Sequence, residues 1–416
     1  MIEHLKISRG RLAFLLGALA MLGPFSIDTV FPAFAVMEAE LGASKLAMQQ
    51  TISVYLLGYA GMSLVHGPLS DVLGRRPVIF AGIAVFILAS AGCALATDMR
   101  EMLFFRALQG LSAGVGLIVG RAIVRDALQG DEAQRLMSHI SMIFGVAPAV
   151  APIVGGWILG WRDWQSIFWF LCAFSALLML ATVLWLPESH PPERRLPLDA
   201  RVLARGYGRI LGNGRFRLLA LAGTFNFGAL WLYIASAPAF VLDMLKLDEQ
   251  QFGWFFAPTI GGMILGAFVS GRAAGRVSGV RLANIGFLFC ALSAVANIGY
   301  NWLVPVPTLP WAVMPTVLSA FGIALVFPII TIAILDMFPD MRGSVSSMQA
   351  FVGLLSNALI AGLLSPVLSD RPIKLALGAA AFTTAGWLLW RWYLAHATRL
   401  PEASPDAASL EPTDEL

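Results

Sequence analysis

The sequence contains few charged residues. Lysine, arginine, aspartate and glutamate together make up 13% of its 416 residues, whereas a soluble domain typically carries about 25%. The net charge is only +3, and the arginines are spread over many loops, so the sequence lacks the basic surface of a nucleic-acid-binding protein. Hydrophobic residues account for 58% of the chain. Because so much apolar surface needs lipid as its solvent, the composition predicts an integral membrane protein.

Cysteine is also scarce. The three cysteines, Cys93, Cys172 and Cys290, each lie inside an apolar run. An odd number of cysteines in such runs argues against a disulfide framework and against a metal site.

Signatures of enzymes are missing as well. The sequence has no G-x-x-x-x-G-K-[S/T] phosphate loop, so we expect no ATP site and no cofactor. The segment "GLSAG" at 110–114 matches the serine-hydrolase pattern G-x-S-x-G. That pattern needs a strand-to-helix turn, but here it lies within an apolar run. The protein is therefore predicted not to be an enzyme.

Long apolar runs recur along the whole chain, and each can cross about 30 Å of hydrocarbon. They show no two-residue alternation, which excludes a membrane β-barrel. The sequence therefore predicts an all-α membrane protein with twelve transmembrane helices. The runs lie near residues 12–34, 47–69, 78–97, 101–124, 137–160, 166–186, 216–240, 251–271, 282–303, 311–336, 344–368 and 373–395.

The basic residues predict the orientation. With the N-terminus in the cytoplasm, most arginines fall in cytoplasmic loops, as the positive-inside rule requires. Both termini are then cytoplasmic. The first run could instead be a cleavable signal peptide, with "AFA" at 33–35 as its cleavage site. A retained span is favoured, because the run is long for a signal core and contains Asp28.

The chain divides into two halves. A Pro- and Arg-rich cytoplasmic linker (187–215) separates a six-helix bundle at 1–186 from a second one at 216–398. "DVLGR" at 71–75 aligns with "RAAGR" at 272–276, which indicates an internal duplication like that of transporters with a central site. The polar, acidic tail at 399–416 is predicted to be disordered and cytoplasmic.

Several motifs resemble those of a known family. "GPLSDVLGRRP", between the second and third spans, resembles the signature loop of the major facilitator superfamily. The further matches are "FFRALQGLSAG" (104–114), "APAVAPIVGG" (147–156), "LPES" (186–189), "SIDTVFPAF" (26–34), "GRAIVRDAL" (120–128) and "WRDWQSIFWF" (161–170). Together they are similar to the twelve-span drug:proton antiporters of the bicyclomycin and chloramphenicol resistance branch. The resemblance implies two pseudo-symmetric six-helix bundles in a bacterial inner membrane, exporting small drug-like molecules in exchange for protons.

The signature loop has a physical reading of its own. Arg75 and Arg76 hold it in the cytoplasm. Gly67 and Gly74 allow helices to approach closely and the turn to tighten.

The positive-inside rule explains the arginines of this loop but not Asp71, because an acid does not help to keep a loop in the cytoplasm. The resemblance implies that Asp71 faces the N-terminal end of the eleventh helix near Gly343, and that Arg75 pairs with Asp126. Such a latch would hold the cytoplasmic side shut in one state. The alternative is that these charges only fix the topology.

Two ionisable residues lie within the spans, where charge is costly and indicates function. Asp28 precedes Pro32 in the first span, and Arg106 lies in the fourth. The resemblance implies that both take part in proton coupling. A structural Asp28–Arg106 pair without a transport role is the alternative.

The fifth span combines residues that bend helices with residues that pack closely, namely Pro148, Pro152, Gly155 and Gly156. The resemblance is to the antiporter motif of exporters, although Ala151 stands where the family often has glycine.

A substrate cavity would suit amphipathic aromatic and amide side chains, although aromatic residues in spans also pack or form interfacial belts. The candidates are Phe31, Tyr55, Tyr59, Asn226, Trp231 and Tyr233.

Together with this resemblance, the sequence predicts a monomeric, proton-coupled multidrug exporter that works by alternating access, with drug, proton and lipid as its partners. Uptake, or export of an endogenous metabolite by the same fold, is an alternative. A membrane enzyme or a non-transporting sensor is a more distant one.

Overall fold

The computed structural model describes residues 7–128, 130–195 and 199–396. Over these residues the chain forms helices and connecting turns, and no strand. The tail predicted to be disordered, 399–416, lies outside the described residues.

Seventeen α-helices occur in this part of the chain. Singly or joined across short breaks, as α1 with α2, α6 with α7 and α15 with α16, they form eleven segments long and apolar enough to span a membrane, or twelve if the bent pair α3–α4 counts as one span. The prediction of an all-helical protein with about twelve spans is confirmed. The first nine are α1 (Arg9–Asp28), α2 (Phe34–Glu40), α3 (Lys45–Ser63), α4 (His66–Leu73), α5 (Arg75–Leu95), α6 (Met99–Ala113), α7 (Val115–Ala127), α8 (Gly130–Trp161) and α9 (Gln165–Trp185). The others are α10 (Ala200–Gly212), α11 (Gly214–Ala235), α12 (Gly253–Ala273), α13 (Gly279–Leu303), α14 (Met314–Asp336), α15 (Arg342–Leu359), α16 (Ser365–Leu368) and α17 (Pro372–His396).

The chain packs as two units. The first comprises Met1–Leu198, Ala235–Ile260 and Ala361–Pro366, and the second comprises Asp199–Ile234, Gly261–Ile360 and Val367–Leu416. The domain boundaries drawn from the sequence stay a prediction, because these units are defined by packing and not by the linker.

Polar caps mark where several helices begin. Ser44 and Ser278 each accept a hydrogen bond from a backbone N–H of the first turn that follows. Asp98 and Asp199 each accept two. A cap satisfies N–H groups that have no partner within the helix, so these four side chains fix the start of α3, α13, α6 and α10.

Close helix contact positions the residues of the first unit. A Cβ on Gly58 of α3 would lie 2.8 Å from the carbonyl oxygen of Ala107 on α6, and a Cβ on Gly110 would collide with the carbonyl oxygen of Tyr55. Glycine therefore allows the two backbones to touch. The contact holds Tyr55 beside Arg106, one turn before Gly110 on α6.

We expect Gly110→Leu to destabilise the protein by about 1–3 kcal/mol or more, because the added side chain must push the backbone of α3 away. Thermal unfolding in detergent measures this effect. Gly61→Leu is the matched control on α3, since nothing lies within 4 Å of a Cβ built there. Equal destabilisation by both substitutions would contradict the proposed helix contact.

Two π-helical segments, Ala239–Met244 and Ile360–Leu364, interrupt the regular helix pattern. Near them, the side chains of two consecutive glutamines in α3 donate to backbone carbonyls. Gln49 donates to the oxygen of Ala235 (3.2 Å), and Gln50 donates to the oxygen of Gly362 (2.8 Å). These bonds lie within the first unit and tie both short segments of the second half of the chain to it.

Candidate transport site

Arg106 lies deep inside the first unit, on α6, with 2% of its surface exposed. Its Nη1 donates to the carbonyl oxygen of Ser26 (2.9 Å) and to Oε1 of Gln109 (2.7 Å), and its Nε donates to the carbonyl oxygen of Thr51 (3.4 Å). Its guanidinium also stacks over the ring of Tyr55, 4.7 Å from the ring centroid. All these partners are uncharged.

The network around Arg106 continues into neighbouring helices. Gln109 donates from Nε2 to the hydroxyl of Ser90 on α5 (2.7 Å). The Tyr55 hydroxyl accepts from the Ser26 hydroxyl (2.7 Å) and donates to the carbonyl oxygen of Gly23 (3.1 Å). The network therefore joins α1, α3, α5 and α6, and it fixes the guanidinium by geometry without a neutralising acid.

Asp28 is the last residue of α1 and is 3% exposed. Thr29 ends the helix, its hydroxyl bonding back to the carbonyl oxygen of Phe25 (2.5 Å), and a short 3₁₀ turn at Phe31–Ala33 follows. No hydrogen bond or ion pair joins the side chain of Asp28 to Arg106, or to any other residue that the structure describes. The acid is therefore buried at a break in the helix without a cationic partner.

The glycines of the α8 motif pack against this break. A Cβ on Gly155 would collide with the carbonyl oxygen of Thr29, and a Cβ on Gly156 would collide with that of Glu249. Pro148 and Pro152 lie inside the same helix, before the contact. Gly155 thus lets α8 touch the backbone immediately after Asp28.

Gly74 separates α4 from α5 and has a φ of 98°, which a residue with a side chain rarely adopts. Next to it, the Arg75 guanidinium donates to Oδ2 of Asp126 (2.9 Å), to the hydroxyl of Ser70 (2.7 Å) and to Asp71. Arg75 is 4% exposed, whereas the side chain of Asp71 is half-exposed. The structure therefore brings together Asp71, Arg75 and Asp126 of the signature loop and the end of α7.

The segment after α9 completes this cluster. The Glu188 carboxylate accepts from the backbone N–H groups of Arg75 (3.0 Å) and Arg76 (3.1 Å), which caps α5. The Ser189 hydroxyl donates to Oδ2 of Asp126 (3.0 Å). An acid at a helix N-terminus is favourable, so the end of the first half holds the signature loop in place.

The remaining loop residues lie beside the cluster. The Arg76 guanidinium donates to the carbonyl oxygen of Val183 (3.0 Å) and stacks over the ring of Phe80 at 5.1 Å. Gly67 lies in the first turn of α4, where a Cβ would make only an ordinary contact with Ile118.

A double-mutant cycle tests the buried pair of Arg75 and Asp126. We expect Arg75→Gln, Asp126→Asn and the double variant to give a coupling energy of about 1–3 kcal/mol in unfolding, because each single change leaves a buried charge poorly paired. The matched control is the exposed Asp370–Lys374 pair, whose side chains are 49% and 43% exposed, with an expected coupling of about 0.5 kcal/mol. Equal coupling in the two cycles would show that the loop pair stabilises nothing beyond a surface contact.

The three predicted substrate residues of the first unit are all buried. Phe31 is fully enclosed and stacks on Phe256, with ring centroids 6.1 Å apart. Tyr55 belongs to the Arg106 network. Tyr59 packs between Gly23 and Gly114.

The three candidates of the second unit lie on α11 and are also buried. Trp231 donates from Nε1 to the carbonyl oxygen of Asn357 (3.0 Å), and the Tyr233 hydroxyl accepts from Nδ2 of Asn297 (2.8 Å). Oδ1 of Asn226 is buried and has no partner among the described residues.

The sequence model of the family described as the Major Facilitator Superfamily matches residues 14–361 of the chain. The chain belongs to the Major Facilitator Superfamily. It is a multi-pass membrane protein of a transporter family, which confirms the prediction that it is not an enzyme.

Curated relatives within the superfamily cover nearly the whole chain. An uncharacterized MFS-type transporter, YdgK of Bacillus subtilis (strain 168), is 31% identical over 90% of this chain and 92% of its own length. The bicyclomycin resistance protein homolog of Haemophilus influenzae is 27% identical, over 88% and 92% of the two chains. Multidrug resistance protein D of Escherichia coli (strain K12) is 26% identical, over 94% and 96%. These similarities support the drug-efflux branch of the superfamily.

Solved structures share the fold. The D-xylose–proton symporter has a TM-score of 0.71 at 12% identity, covering 95% of this chain and 98% of its own. The human organic anion transporter MFSD10 has a TM-score of 0.68 at 16% identity, covering 92% and 99%. At these identities the likeness concerns the fold alone.

Among the residues of the two clusters that the sequence did not single out are Ser26, Gln109, Glu188 and Ser189. Each of these four lies within a motif quoted above, so the motifs already pointed to these positions. Their hydrogen-bond partners lie on other helices, and a motif in one segment does not identify its partners in another.

Proposed function

We propose that this protein of the superfamily is a proton-coupled exporter of small drug-like molecules, working as a monomer by alternating access in the bacterial inner membrane. The names of the relatives from Haemophilus influenzae and Escherichia coli support drug export. The excess of arginine in every second loop supports cytoplasmic termini.

The single observation that carries the proposal is the placement of Asp28. It is a buried acid without a cationic partner among the described residues, at the break in α1. An isolated charge in the membrane is costly, whereas a protonated carboxyl group is tolerated. Asp28 is therefore the proton carrier in our proposal.

Arg106 is the second residue that we assign to proton coupling. It donates to the carbonyl oxygen of Ser26, two residues before Asp28 on α1. In this proposal a change in the charge of Asp28 acts through α1 on the guanidinium, which forms no ion pair with an acid among the described residues. Arg106 thus couples protonation to the helix that carries Asp28.

Exchange follows if drug and proton oppose each other's binding. A polar or cationic drug beside Asp28 stabilises the ionised carboxylate and expels the proton, and protonation in turn expels the drug. The gradient supplies about 2.3 kcal/mol per charge per 100 mV, plus roughly 1.4 kcal/mol per pH unit. In this proposal Phe31, Tyr55 and Tyr59 with Asn226, Trp231 and Tyr233 contribute to substrate binding.

The cytoplasmic gate in this proposal is the cluster of Asp71, Arg75 and Asp126, held by Glu188. The buried Arg75 guanidinium contacts two acids, the half-exposed Asp71 and the less exposed Asp126. Arg75 can therefore keep Asp126 as a partner when Asp71 moves away. The glycines of α8 contribute by allowing that helix to slide against α1.

The test uses everted membrane vesicles from cells that produce the protein, with an acidic lumen and labelled chloramphenicol, bicyclomycin or a lipophilic cation. We expect accumulation that a protonophore abolishes. Accumulation only in right-side-out vesicles would indicate uptake. If no compound moves in either orientation, the drug part of the proposal is wrong.

A further inference from the structure

The helix α10 lies between the two halves of the sequence and carries its arginines on one side and its packed residues on the other. At 100° per residue, Arg201, Arg205 and Arg209 fall within an arc of about 80°. Ala204, Gly208 and Gly212 lie on or beside that arc. All six residues are exposed. We call this set the arginine face.

The opposite side of α10 packs within the second unit. Ile210 is fully buried, and Tyr207 forms a side-chain hydrogen bond with Ser347. A Cβ on Gly206 would lie 3.2 Å from Cε of Met341. The apolar side of the helix is thus already covered by protein, and burial raises the pKa of Tyr207 to about 12.

The arginine face has no such cover. None of its three arginines forms an ion pair with an acid in the described part of the chain. The nearby Asp199 uses its carboxylate to cap the backbone of α10. Three guanidinium groups therefore stand side by side on one helix without a counter-charge from the described protein.

The chain holds the C-terminal end of α10 close to the end of a candidate membrane span. Only Asn213 separates it from α11, which is a candidate span, and the Asn213 side chain caps α11 at Phe216 (3.0 Å). One residue reaches about 3.8 Å. The end of α10 therefore lies at the level of the lipid headgroups, and Leu211, 39% exposed, borders the arginine face there.

We propose that the arginine face binds the headgroups of anionic phospholipids. Arginine forks match phosphate oxygens, and the glycines and alanine between them leave room for a headgroup to approach the helix. In this proposal the arginine face joins the second unit to the lipid surface within the linker. It is independent of which substrate is transported.

The test places one fluorescent label on the arginine face. Gly208→Cys is suitable because nothing lies within 4 Å of a Cβ there, while Cys93, Cys172 and Cys290 are buried. The full chain in nanodiscs is titrated with phosphatidylglycerol or phosphatidylcholine carrying a nitroxide near the glycerol. We expect phosphatidylglycerol to quench the label at a several-fold lower fraction of the lipid.

Two triple variants decide the origin of this preference. Arg201→Gln, Arg205→Gln and Arg209→Gln together should abolish it, so that both lipids quench the label at similar fractions. The matched control removes three exposed arginines that do not share a helix face, Arg125, Arg276 and Arg281, and should keep it. Lysine in place of the three arginines keeps the positive charge but not the fork and should retain part of the preference. This variant guards against a glutamine variant that fails to fold.

Three results would overturn the proposal. Equal quenching by both lipids in the protein with its native arginines is the first, and equal loss in the control variant is the second. The third is loss of the difference in quenching between the two lipids when inorganic phosphate is added, which would indicate a site for the free ion.

Discussion

We expect Asp28→Asn to abolish the accumulation of drug driven by a pH gradient. Exchange of one proton per drug molecule supports about a tenfold drug gradient per pH unit, because one unit corresponds to roughly 1.4 kcal/mol. In the variant we expect the ratio of lumenal to external drug to fall to about one, since the asparagine neither binds nor releases a proton. Labelled drug should still exchange for unlabelled drug, because the fold and the alternation of states remain.

The control for this prediction is Asp163→Asn. Asp163 is an exposed acid that caps the start of α9 by accepting from Ser166, and its substitution should leave accumulation unchanged. Asp28→Glu, which keeps the carboxyl group, should retain part of the activity. Undiminished accumulation by Asp28→Asn would remove Asp28 from the coupling mechanism.

Arg106→Ala should reduce both the stability of the protein and its transport activity. It removes the donor for Gln109 and for the carbonyl oxygens of Ser26 and Thr51, and each buried acceptor left without a partner costs about 1–3 kcal/mol. We expect a loss of stability of about 2–4 kcal/mol together with loss of transport. Thermal unfolding and drug accumulation in the same preparation measure both.

Arg106→Lys separates the two effects. Lysine keeps the charge and reaches some of the acceptors, but it cannot form the planar fork that stacks on Tyr55. It should regain much of the stability and little of the transport. Arg100→Gln, an exposed change on the same helix, should alter stability by about 0.5 kcal/mol or less. Full transport by Arg106→Ala would contradict the role given to Arg106.

The spans could be predicted from the sequence because length and apolarity alone decide whether a helix crosses lipid. Breaks within the spans were not predicted. The run at 47–69 forms α3 and α4, which meet at an angle of 48°, and the run at 12–34 ends its helix at Asp28, six residues early. Local turns at Leu64 and at Thr29 cause these breaks. Hydropathy is averaged over about twenty residues, so it does not detect a turn of a few residues.

The signature loop and the membrane-embedded charges were also found from the sequence, since charge is rare in this chain. How Arg106 is satisfied could not be found. Its partners are two carbonyl oxygens and an amide, and any residue supplies a carbonyl. Glu188 illustrates the same limit, because its carboxylate accepts from two backbone N–H groups at the start of α5, more than a hundred residues earlier in the chain.

The most direct test of the central claim uses purified protein in liposomes that contain a pH-sensitive dye. Chloramphenicol, bicyclomycin and a lipophilic cation are added in turn to wild type and to Asp28→Asn. The account predicts that a transported drug moves protons in the opposite direction in wild type and moves none in the variant. Drug transport by wild type with constant lumenal pH would contradict proton exchange, although the fold would stand.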